Sequence, residues 1–66
     1  MLIQPDFEVQ NEGSIYLLRP LTDNASNWIA NHIPDDAQTW GQSIIIEHRY
    51  IADIVNGIID DGLEVI

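Results

Sequence analysis

The chain has 66 residues, with eleven acids against two bases, no lysine and no cysteine. That length holds one domain, and the missing cysteine removes disulfides and thiolate metal sites together. A formal charge of −9 argues against direct binding to nucleic acid or an anionic membrane, because such binding relies on cations that displace counterions from phosphate.

Residues 1–12 are expected to form a loose N-terminal arm or an extra strand. Met1–Asp6 lacks the positive flank and apolar run of a secretory leader, so a cytoplasmic location is expected. No segment reaches the roughly 18 continuous apolar residues of a membrane span. Phe7-Glu8-Val9 alternates, and Asn11-Glu12-Gly13 is a turn signal, which together predict a short strand and hairpin. Ile15 to Arg19 favours a strand ended by Pro20. Ile15 and Leu17 lie on one face of it, Tyr16 and Leu18 on the other.

Thr22 is placed as a helix N-cap, with Asp23 well sited in the first turn. Ala25, Trp28, Ile29, His32 and Ile33 recur at helical spacing and give one apolar stripe. Pro34 stops that helix. Asp35 to Gln42 is expected as a connection, and the β-branched run Ser43–Ile46 as a strand. From His48 to Asp61 the apolar set is Ile51, Ile54, Val55, Ile58 and Ile59, again one helical face. Gly62 stands where a left-handed C-cap belongs, and Leu63–Ile66 is expected as a short terminal strand. The expected fold is α+β: a small β-α-β-α-β domain with a three- or four-stranded sheet, mixed or parallel, packed against two helices.

Catalytic and ligand-binding patterns are weak. Ser14, Ser26 and Ser43 sit in no nucleophile motif. His32 is expected to pack at the edge of a helix stripe and His48 to open the second helix. The carboxylates match neither a His-Glu-x-x-His site nor a calcium loop, and the isolated glycines without lysine rule out a P-loop. No enzyme activity, metal or cofactor is expected. Arg49 and Asp53, four apart, are expected to pair along the second helix.

The acidic pairs carry more information. Asp35-Asp36 follows the first helix, Asp60-Asp61 closes the second, and Glu64 comes shortly after. An acid at a helix C-terminus opposes the helix dipole by about 0.3–1 kcal/mol when exposed. The sequence accepts this twice. Aspartate is also a common post-helical turn residue, so the alternatives are local turn chemistry and a carboxylate rim that serves as a protein-binding site. Two helices need not cover both faces of a sheet. For Tyr16, Leu18 and one face of Ile44–Ile46 the alternatives are core packing and an exposed apolar surface, including a homodimer contact.

The stretch Ile15–Pro20 followed by the Thr22-capped helix with Trp28-Ile29 resembles a group of short, acidic, uncharacterised bacterial and prophage-type proteins. Glu47–Ile54 and Asp61-Gly62-Leu63 extend the resemblance, which spans residues 15–66. The group carries no established activity and transfers no catalytic residue. It implies a mobile-element context, in which small acidic proteins inhibit host defence enzymes as anti-CRISPR proteins or DNA mimics. The expected partner is therefore a protein with a basic, nucleic-acid-binding surface, met by Asp35, Asp36, Asp60, Asp61 and Glu64. The alternative is a structural, self-associating protein that uses an apolar sheet face.

Overall fold

The turn at Asn11–Gly13 sets the first pairing. Gly13 takes φ +93°, a left-handed conformation that suits glycine. The Asn11 side chain accepts from the Gly13 N–H at 2.8 Å, and the Glu12 N–H donates to the Ile15 carbonyl at 2.9 Å. The strands on either side, β1 (Phe7–Asn11) and β2 (Ile15–Pro20), pair antiparallel from Phe7–Pro20 to Asn11–Tyr16. In the computed structural model, which describes residues 4–66, the extra N-terminal strand is thus present.

Helix α1 (Asp23–His32) begins at Thr22, whose hydroxyl accepts from the Ala25 N–H at 3.1 Å. The expected connection after it contains a two-residue strand, β3 (Thr39–Trp40), which pairs antiparallel with β4 (Ser43–Glu47). Gly41 supplies the positive φ, +62°, at the first turn position between them. β4 also pairs antiparallel with β2, and the four strands lie in the order β1-β2-β4-β3.

Helix α2 (His48–Asp60) starts directly after β4. It ends in a Schellman motif: Gly62 at φ +84° donates to the Ile59 carbonyl at 2.9 Å, and Leu63 N–H to the Ile58 carbonyl at 3.1 Å. The tail then runs parallel to β1. Phe7 N–H donates to Glu64 O, Ile66 N–H to Phe7 O and Val9 N–H to Ile66 O, at 2.9–3.0 Å. Only the Phe7–Val65 bridge qualifies as pairing there, so the expected terminal strand is a short cover on the β1 edge. The element order is β-β-α-β-β-α, an α+β domain whose four strands pair antiparallel, not the mixed or parallel β-α-β-α-β sheet expected, because hairpins join β1 to β2 and β3 to β4.

Side-chain alternation and the pairing register place Phe7, Val9, Tyr16, Leu18, Ile44 and Ile46 on one face. Phe7 and Leu18 are fully buried there with Ile58 of α2, and Ala25 and Trp28 of α1 join the same cluster. Both helices therefore cover one face. Leu18 belongs to the core and Tyr16 packs against it, which decides for core packing over the alternative of an exposed apolar surface. The face left uncovered carries Ile15, Leu17, Ile45 and Trp40.

Candidate functional site

The two helices meet at their C-terminal ends through three side chains. Trp28 and His32 are four apart on α1 and so share a face. Their rings stack at 4.2 Å with 12° between planes, while Phe7 meets the other side of the indole edge-on at 5.9 Å. The Trp28 indole N–H donates to Asp61 Oδ2 at 2.6 Å. His32 Nδ1 lies 2.9 Å from the Trp28 carbonyl, which only accepts, so that nitrogen carries the proton. His32 Nε2 stands 3.5 Å from the same Asp61 oxygen. The unfavourable siting of Asp61 at the end of α2 is thus offset by a donor from α1. Asp61 acts as a latch between the helices, although sequence placed it in a contact rim.

The other four rim residues are exposed. Asp35 and Asp36 form the turn after α1, Asp60 is the last residue of α2, and Glu64 lies in the tail. Their carboxylates make no hydrogen bond or ion pair to another described residue. Glu64 is engaged only through its backbone, which exchanges bonds with Asp6. Chain reach keeps the Asp35 and Asp36 Cα atoms within about 11–15 Å of that of His32.

Beside Asp35 and Asp36 lies a mainly apolar groove of ≈ 260 Å³ between the end of α1, β4 and α2, whereas Glu64 sits with the tail on the β1 edge of the sheet. Ile33, Ile44, Ile46, Tyr50 and Ile54 form much of its wall. Pro34 and Ala37 also line it, and they flank Asp35-Asp36 in the chain; Trp28 and His32 line it too, and they hold Asp61. Nothing in the sequence announced this groove, because its walls come from three elements.

The charges are unevenly distributed. Glu8, Arg19 and Glu47 fall on the uncovered sheet face by register, Glu8 directly opposite Arg19. The Gln10 side chain on that face donates to Glu12 at 2.9 Å. Arg49 donates to Glu47 at 3.0 Å instead of pairing with Asp53 as expected. Both bases thus lie on or beside this face with three glutamates. Arg49, at the start of α2, also lies over the Tyr50 ring of the groove wall at 4.9 Å; among the described residues the other eight acids make no ion pair with either arginine.

Sequence missed Asp6, whose partners are 16 and 58 residues away. Its carboxylate accepts from the Thr22 hydroxyl at 2.7 Å and from the Glu64 N–H at 3.0 Å. The Glu64 N–H first, and the Thr22 hydroxyl second, hold its pKa below the ordinary 3.8 against the opposing effect of desolvation. His48, expected simply to open α2, reaches the Gly13 carbonyl with Nε2 and packs on Tyr16 at 4.9 Å. It ties the first hairpin turn to α2.

Among the described residues, no three His, Asp or Glu side chains gather as metal ligands do, and no helix is long and apolar enough to cross a membrane. No protein-family model matches the chain, and no curated protein or solved structure matches it either.

Proposed function

We propose that this protein is a non-catalytic binding module that presents an apolar groove, rimmed by carboxylates, to a basic protein surface. The observation that carries this reading is the placing of acids against groove-lining residues: Asp35-Asp36 lie between Pro34 and Ala37 in the chain, and Asp61 is held in space by Trp28 and His32. Unpaired carboxylates speed encounter with a basic partner and select it, while the groove supplies apolar contact that slows dissociation. A nucleic-acid-binding enzyme offers the matching surface, because its groove is built to attract phosphates. The protein then works in the cytoplasm as an inhibitor of phage or mobile-element type, carboxylates standing where phosphates would.

The test is retention of bacterial lysate proteins on the immobilised chain at roughly 50 mM and roughly 500 mM salt. Proteins with basic nucleic-acid-binding surfaces are expected to be held at low salt and released at high salt. A chain with Asp35, Asp36, Asp60 and Glu64 changed to lysine is expected to lose them. Changing Glu8 and Glu12, on β1 and the turn after it, to lysine alters net charge outside the groove's lining and is expected to leave retention largely intact. Asp61 is kept out of the series because its change would disturb the fold. Equal retention by the wild type and the four-fold variant would refute the reading.

A further inference from the structure

We infer that the uncovered face of the sheet is where a second copy of this chain docks, giving a two-fold dimer packed sheet against sheet. Both helices lie on the opposite side, so Ile15, Leu17 and Ile45 face outward on adjacent strands. Leu17 is only 9% exposed yet stands outside the core cluster, which marks an apolar centre already shielded by its own neighbours. Pairing of Trp40 with Ser43 fixes the indole on this same face, 63% exposed. A large aromatic beside a desolvated aliphatic patch is the usual make-up of an interface centre.

Charge identifies the occupant. Two copies at −9 each repel wherever acids meet acids. Contact through the helical side would oppose eight acids that make no ion pair with an arginine, with Arg49 at the start of α2 the nearest base. The sheet face is different, because Arg19 lies on it and Arg49 beside it, with Glu8, Glu12 and Glu47. In a two-fold arrangement each residue set meets its own copy, so the arginine of one chain can face a glutamate of the other. A basic foreign protein would instead prefer the helical side. The near-neutral face suits a partner that is itself acidic, and this chain is one.

Area sets the strength. Three strands about 17 Å long and the two-residue β3, about 4.8 Å apart, give a flat footprint of roughly 300 Å². Even with side-chain relief this lies below the about 800 Å² per partner of a standard stable interface. The dimer is accordingly reversible and concentration-dependent. Ile45 and Glu47 also line the groove, whereas Trp40 and Arg19 do not, so changes at those two positions read the dimer apart from what the groove binds.

Sedimentation of the full chain from roughly 10 µM to roughly 1 mM tests this, a range suited to weak association. A monomer–dimer equilibrium is expected. Trp40→Ala and Arg19→Glu, both at exposed positions, are each expected to weaken it at least about tenfold, with far-UV circular dichroism unchanged. Asp35→Lys combined with Asp36→Lys, on the helical side, is expected to leave it within about twofold. A monomer at every concentration overturns the inference. So does a dimer insensitive to Trp40→Ala and Arg19→Glu, or one abolished by the helical-side change alone.

Discussion

Asp6 joins three parts of the chain that are distant in sequence. Its side chain takes the Thr22 hydroxyl at the N-cap of α1 and the Glu64 N–H of the tail, and its carbonyl takes the Leu21 N–H. Because these donors favour the ionised form, its folded pKa lies below the unfolded one. The resulting stabilisation is complete above the ordinary value near 3.8 and is lost as pH falls through the lower folded value. Asp6→Asn is expected to lower the urea midpoint at pH 7 and to make its decline below about pH 4 shallower than that of the wild type. Parallel acid limbs for the two proteins would show that Asp6 contributes nothing of this kind.

Helix α2 is the element most fully written in the sequence, and it still carries one weak position. Its apolar stripe, its glycine at C′ and the Leu63 contact that follows are all local features. Gly57, mid-helix, is not required by backbone conformation. A Cβ there would come 3.5 Å from the Trp28 ring, an ordinary packing distance. Gly57→Ala is therefore expected to stabilise the fold by about 0.5–1 kcal/mol, through the lower backbone entropy of the unfolded chain and better helix propensity. Chemical denaturation would check the sign. A loss of stability would mean that the indole cannot tolerate the contact. Gly62, by contrast, needs its positive φ and is a poor site for the same change.

For the whole molecule, the dominant long-range effect is self-repulsion among eleven acids set against two arginines. Raising sodium chloride from about 10 mM to about 500 mM shortens the screening length from about 30 Å to a few ångströms. The thermal midpoint is expected to rise, by about 4–8 °C for each kcal/mol of repulsion relieved in a domain of this size. A midpoint that falls with sodium chloride would mean that the few ion pairs outweigh the repulsion. The uneven distribution of these charges leaves one near-neutral face and one acidic side, and that contrast separates the proposed contact with a copy from the proposed contact with a basic partner.

What the sequence determined is local. Thr22 as a cap, Pro34 as a stop, Gly13 and Gly62 at positive φ and the two apolar helical stripes follow from conformational preferences within a few residues. Alternation also separated Ile15 and Leu17 from Tyr16 and Leu18 before any pairing was known. Tertiary structure alone decided which of those faces the helices cover, because strand periodicity gives two equivalent sides and only packing of Trp28 and Ile58 breaks the tie. The same holds for the tail on the β1 edge, for Arg49 with Glu47 instead of Asp53, and for Asp61 as a latch. Each depends on distances across the fold, where hydrogen-bond geometry and register choose among partners that spacing leaves equal.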